Sequence, residues 1–473
     1  MIQAWVVLIV AFVYLTLLFA VASYGDRKVM KQWRGRSNIY ALSLAIYCTT
    51  WTFFGSVGLA VSSGINFLAI YLGPILVITV GYPIVQRVVR LSKEQRITSV
   101  ADFLGARYGK SMHVAAVATV IAVIGTVPYI ALQLKAISSS LTTLISHSSD
   151  GLAPDLLPFS DITILITVVL ALFTILFGTR HADATEHQDG LMLAIAMESV
   201  VKLVAFVCVG FFTVYVIFDG FGDLFSQASD NSDVQKMVDG INWGQFFVYT
   251  ALSLIVFLLL PRQFHVAVVE NHTEQELRRA RWLFPLYLVI INLFVIPIAL
   301  AGLIKFGGSI SADNFVLILP MSQSDSSASS FISLFAFIGG LSAGTAMVVV
   351  ACVALAIMIS NDLILPIYLR SQAGAEETST RNMEIPILNI RRGAIVGVLT
   401  LAYFYYSLTD NTVALASIGL ISFVAIAQLG PAFFGGMFWK HANARGAIIG
   451  MICGASVWGY TLLLPTFLPG EHP

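Results

Sequence analysis

Charge is what this 473-residue chain has least of. Asp, Glu, Lys and Arg make up 11% of it, where a soluble domain carries roughly 25%. With 58% apolar residues, the deficit points to one membrane body in place of the two or three soluble domains that length alone allows. The formal net charge is zero, so nothing electrostatic argues for a nucleic-acid partner. Cysteine is equally sparse. Cys48, Cys208, Cys352 and Cys453 sit in apolar runs without C-x-x-C spacing, which reads as small packing residues and no thiolate metal site. No Walker A sequence is present, which argues against an ATP-driven pump, and there is no G-x-S-x-G, H-E-x-x-H or kinase signature. The chain is therefore not read as an enzyme. No cleavable signal peptide is found either. The first apolar run starts at residue 2 with basic residues after it and none before, so it is expected to stay in the membrane with the N-terminus outside.

What the chain does have is long apolar runs. A membrane span takes ~20 such residues, and twelve runs qualify, near 2–24, 38–62, 66–86, 113–145, 161–179, 190–218, 243–261, 282–305, 329–361, 393–408, 412–438 and 446–468. In lipid every backbone polar group must be satisfied within the chain, so the runs are predicted to be helices. Twenty-two of the 26 Lys and Arg fall in alternate gaps: 25–37, 86–111, 179–188, 262–281, 363–392 and 439–445. The intervening gaps hold only Lys236 and Lys305, and Lys135 and Lys202 lie inside runs. Cytoplasmic loops retain Lys and Arg, so the basic gaps are expected to face the cytoplasm.

Several runs depart from plain lipid-facing composition. Run 38–62 carries Gly55, Gly58 and Gly64 among Thr49, Thr50, Thr52 and Ser56. Glycines weaken a helix and hydroxyls can satisfy the freed backbone, so this run is predicted to unwind around Phe53–Gly58 and to line a solute site with Thr49, Thr50, Trp51 and Gly55. Close packing of small residues is the other reading, and it is the preferred one for the Gly446, Gly450, Gly454 row. Glu198 and Lys202 are four apart, share a helical face and are expected to pair. Together with Lys135 they are the buried charge and proton candidates. The segment 262–281, with His265, Glu270 and His272, reads as a solvated interfacial helix, not a metal site. His181, Asp183, Glu186, His187 and Asp189 read as a solvated inward loop.

The segment Gly435-Gly436-Met437-Phe438-Trp439-Lys440 through Arg445-Gly446-Ala447 resembles the G-x-F-W-K-x-x-x-x-x-G-A signature of the solute:sodium symporters, relatives of the sodium/proline and sodium/galactose symporters. Residues 97–104 with Arg107-Tyr108-Gly109 are similar to that family's cytoplasmic loop, and Asn361-Asp362 also fits. The segments 261–271, 180–194 and 48–58 resemble the transporter domain of sensor histidine kinases of the CbrA type. In such proteins a thirteenth span and then kinase domains follow in cis, so the chain looks truncated before that span.

The resemblance implies an all-α polytopic membrane protein of the leucine-transporter type. It would be a single transporter domain over 1–473 with 5+5 inverted repeats at about 38–218 and 243–438, twelve spans and no soluble domain. It implies a main cation site built from the carbonyls of Ala45 and Cys48 and from hydroxyls aligned at Ala346 and Met347, which have none. Ser342 and Thr345 are the nearby replacements. Sodium takes about five or six oxygens by analogy with other hard cations, so either Na+ or H+ is left as coupling ion, with no other cofactor or metal. The implied function is cation-coupled symport of a small polar nutrient, an amino acid such as histidine. The alternative is the solute-sensing input domain of a histidine kinase. A passive channel would need a carbonyl or charge ring that the sequence lacks.

Overall fold

The computed structural model describes residues 3–26, 35–146, 161–179, 187–239, 242–323, 327–372, 384–409 and 413–467. Every element among them is helical. In chain order the α-helices are α1 Ala4–Gly25, α2 Arg36–Ser43, α3 Ser56–Ser63, α4 Ala69–Thr79, α5 Tyr82–Gln95, α6 Val100–Arg107, α7 Met112–Ser146 and α8 Ile162–Gly178. There follow α9 Asp189–Phe212, α10 Phe221–Ser229, α11 Ser232–Asp239, α12 Trp243–Val256, α13 Pro261–Phe264, α14 Glu274–Asn292, α15 Val295–Phe306 and α16 Phe315–Met321. The last six are α17 Ser327–Met358, α18 Leu365–Gln372, α19 Glu384–Leu408, α20 Leu415–Ala427, α21 Gly430–Phe438 and α22 Ala444–Trp458.

Each of the twelve apolar runs is helical, and the protein is an integral membrane protein. By length and composition, nine described helical stretches suffice to cross a membrane, or ten with the bent pair 243–256 and 261–269. That is fewer than the twelve expected, for two physical reasons. Helical turns continue from Trp51 to Thr79 through Gly64, whose φ of +58° makes a sharp bend, so two runs count as one stretch. Run 161–179 yields a helix of only 17 residues. The core is built around α17, which packs on α9, α7, α8 and α19, while α20 packs on α7 and α12 and α1 covers α9.

Two breaks shape the interior. After α2 the chain tightens through Leu44–Tyr47, is extended at Cys48 (φ −80°, ψ 100°), and resumes as a wide π-type turn over Trp51–Gly55. The predicted unwinding at Phe53–Gly58 is thus corrected to Cys48–Thr49. Glycine was the wrong cue. Gly58 serves close approach, since a Cβ there would collide with Asp313 Oδ1. The second break lies between α12 and α13, which meet at 51°. Pro261 at the first helical position holds Leu260 extended (ψ 122°) and ends α12.

This second break overturns the reading of 262–281 as an interfacial helix. Arg262, Gln263 and His265 are 3% exposed or less. They belong to the buried continuation of a span, and the next membrane-crossing stretch, Glu274–Phe306, opens with α14 behind a Thr273–Glu276 capping box. Arg262 therefore does not belong to the count of loop cations. Two smaller corrections concern packing. Cys453 is exposed, unlike buried Cys48 and Cys352. In the Gly446, Gly450, Gly454 row only Gly454 is tightly covered, by Gln428, and nothing lies within 4 Å of a Cβ built on Gly450.

Candidate functional site

The break at Cys48–Thr49 frees backbone groups, and side chains from two other helices, α9 and α7, meet them. Lys202 of α9 is 1% exposed. Its Nζ donates to the carbonyls of Ala45 at 2.8 Å and Cys48 at 2.7 Å. These are the two carbonyls that the resemblance assigned to a cation. Gln133 of α7 accepts from both the amide and the hydroxyl of Thr50, at 3.1 and 2.7 Å. Thr49 Oγ1 accepts from the Trp51 amide and shares a hydrogen bond with the Tyr129 hydroxyl at 3.0 Å.

The other candidate ligands turn to α9 as well. Thr345 donates to the Glu198 carboxylate, and Ser342 donates to the Glu198 carbonyl at 2.8 Å. The expected Glu198–Lys202 pair is corrected accordingly. The ammonium goes to the broken strand of backbone and the carboxylate to a hydroxyl of α17, although both lie on one face of α9. Ala346 and Met347 are buried and apolar. A tethered ammonium thus sits where two carbonyls converge, and the hydroxyls nearest in sequence are already spent.

Trp51 is buried and donates its indole N–H to the Ala416 carbonyl at 3.2 Å. Gly55 lies against Leu415. Lys135 donates to the Val413 carbonyl at 2.7 Å, and it lines a polar cavity of about 110 Å³ with Phe54, Ser140, Asp313 and Asn314. At the second break, Arg262 lies over the Tyr129 ring at 4.4 Å. Tyr129 stacks on Phe423 at 5.7 Å, and Tyr47 meets Phe257 at 5.8 Å. These aromatic contacts link the two breaks. Sequence reasoning missed Arg262 and Gln263, and the signal was Pro261 directly before them.

A separate charge cluster closes the basic end. Glu270 is contacted by His187 at 3.6 Å and His265 at 3.4 Å, and it accepts from the Gln188 amide. Burial alone would raise its carboxyl, but the hydrogen bonds and charge of His187 and His265 prevail and hold it at about 2. Burial, with His187 and Arg36 nearby, lowers His272 to about 3. Arg36 bridges Asp189 at 2.6 Å and Glu276 at 3.0 Å. The ligand atoms of His187, Glu270 and His272 lie within 4.8 Å of one another, close enough to hold a metal ion. The other members of the acidic loop, His181, Asp183 and Glu186, lie outside the described residues. Nearby, Arg107 donates to the Gly436 carbonyl and Tyr108 to that of Ala432, so the two signature segments dock on one another.

No protein-family profile matches the chain. It is 22% identical over 428 residues to an uncharacterized symporter, YodF, of Bacillus subtilis (strain 168), covering 86% of this chain and 76% of that one. Among solved structures it resembles a substrate-bound, outward-open sodium-coupled sialic acid symporter, with a TM-score of 0.67, 13% identity and 99% of each chain covered. The fold is shared with that symporter. A manganese transporter of Eremococcus coleocola is also similar, at 11% identity and a TM-score of 0.43 over 93% of this chain and 95% of that one.

Proposed function

We propose that this protein is a secondary active transporter that carries a small polar solute together with a cation, and that the cation is a proton. The observation that carries the coupling is the pair of hydrogen bonds from Lys202 to Ala45 and Cys48. A sodium ion in that place would need the same carbonyls as ligands. The ammonium supplies a positive charge there without an ion, and losing its proton would remove that charge from the break. The shared fold and the symporter likeness support transport, and the broken segments 36–63 and 243–269 each open one half of the proposed 5+5 repeat.

In this reading the solute lies between the two breaks, near Thr49, Thr50, Trp51 and Gly55, and an amino acid such as histidine is the class the resemblance implies. The basic end faces the cytoplasm. Contacts that tie the basic gaps to one another support that sidedness: Arg36 with Glu276, Arg90 with Glu274, Lys93 with Asn271 and Arg279 with Asn38.

The test is uptake of radiolabelled histidine and other amino acids into proteoliposomes. Uptake is expected to persist when choline replaces sodium and to collapse when a protonophore dissipates the proton gradient. Strict dependence on sodium would reject the coupling, and absence of uptake across the amino-acid panel would reject the amino-acid assignment.

A further inference from the structure

Arg262 is the largest fully buried side chain among the described residues, 1% exposed. None of its three side-chain nitrogens makes a hydrogen bond of good geometry, the Tyr129 side chain being the one polar neighbour close enough to interact, and no described carboxylate pairs with it. A guanidinium carries five N–H donors and stays protonated in proteins. Leaving such a charge buried and unpaired costs several kcal/mol. Tyr129 relieves part of that through its ring face at 4.4 Å. A ring face cannot serve the in-plane donors, which remain open at their edge.

The position is built. Pro261 closes the bend after α12 and places Arg262 in the first turn of the second half-span, where Tyr129 connects it to Thr49 at the break of the first span. The walls are aromatic: Tyr47, Tyr129, Phe257 and Phe423. Gln263, the next residue, leaves its Oε1 buried without a donor while its amide donates to Leu44. Lys202 stands nearby as a second cation, whereas the one carboxylate of that helix face, Glu198, is engaged by Thr345. Around the two breaks the buried charges are thus two cations, Lys202 and Arg262, and one carboxylate, Glu198.

We infer that Arg262 is a receptor for a carboxylate group of the transported solute, held by a forked pair of hydrogen bonds against the Tyr129 face. A carboxylate matches the planar fork in geometry and charge, and the aromatic walls suit an organic acid more than a hydrated inorganic anion. The inference rests on the transporter reading, because it names the chemical class of that reading's solute.

Two measurements test it on purified full-length protein. The first compares thermal stabilisation by L-histidine with that by histamine, and by L-phenylalanine with that by phenethylamine, each pair differing by the carboxylate, with inorganic phosphate as a separate arm. The expected result is stabilisation by at least one carboxylate and none by its decarboxylated partner. Equal stabilisation by both members of a pair, by phosphate alone, or by nothing in the panel overturns the inference. The second uses Arg262→Met and Arg262→Lys. Removing one partner of a buried charge pair should weaken carboxylate binding roughly 30-fold or more. Arg262→Met without solute should be at least as stable as the parent, because it removes an unpaired charge. An unliganded Arg262→Met that is markedly less stable, with carboxylate selectivity intact in Arg262→Lys, would make Arg262 a structural residue and overturn the inference. Proteoliposome uptake separates the two readings. Solute uptake without carboxylate selectivity sinks only this inference, while carboxylate binding without any uptake sinks only the transporter reading.

Discussion

The two breaks in the membrane-embedded helices are satisfied in opposite ways. At Cys48–Thr49 every group named above finds a partner inside the protein: the carbonyls of Ala45 and Cys48 take Lys202, and Thr50 takes Gln133. At Leu260–Pro261 the backbone is closed by local turns, yet Arg262 and the Gln263 oxygen are buried without hydrogen-bond partners of good geometry. Buried polar groups are nearly always paired. A break that is complete without ligand therefore serves as an internal lock, and one that is incomplete serves as a receptor. In the proposed reading a cation tethered to α9 replaces the free ion at the first, and the solute completes the second.

The largest effect is expected from breaking the lock. Lys202→Met keeps a chain of similar length but removes the charge and the donors, leaving two buried carbonyls at a cost of about 1–3 kcal/mol each. Proteoliposome uptake should fall to background, and uptake near the parent level would separate Lys202 from coupling. Next, Pro261→Ala attacks the receptor. It restores a backbone N–H and frees residue 260 to become helical, so α12 can run on and carry Arg262 out of register. Solute affinity should drop about tenfold, the rough equivalent of 1.4 kcal/mol, with the folded state retained. Unchanged affinity would mean that the bend does not position Arg262.

Gln133→Leu sharpens the comparison from the lock side. Thr50 loses the acceptor for its N–H and hydroxyl, and a thermal melt should show destabilisation of about 1–3 kcal/mol. A neutral result would show that the break closes without it.

The smallest effect concerns pH and lies outside both breaks. Glu270 has its carboxyl lowered from 4.5 to about 2 in the folded protein. Its contribution is complete above the unfolded value and drains away as pH falls towards 2. His272 is lowered from 6.5 to about 3. The unfolded chain takes up that proton first, so stability also declines as pH drops below about 6.5. Melting temperature should fall progressively from pH 6.5 downward, and His272→Gln should flatten the upper part of that slope. A rise on acidification would contradict the arrangement.

Much of this was legible in the sequence. The apolar runs gave the helices, because lipid leaves the backbone no other choice. Ala45, Cys48, Glu198 and Lys202 were each singled out. Their union was not legible, because a spacing of four suggests a pair along one helix and says nothing about carbonyls 157 and 154 residues away in the chain. The break was placed five residues late because glycine was taken as its cause, when the determinants are side chains on other helices. Arg262 was hidden by its own charge. Counting cations in gaps assigns a basic residue after an apolar run to water, and only the proline before it hinted at a turn back into the protein.

The central claim is that Lys202 fills the place of a coupling sodium ion. Binding of sodium-22 to purified protein tests it most directly, measured on the parent and on Lys202→Ala, with choline as the balancing cation. The account predicts no saturable sodium binding by the parent and its appearance, if anywhere, in Lys202→Ala. Saturable sodium binding by the parent, whatever Lys202→Ala does, would contradict it.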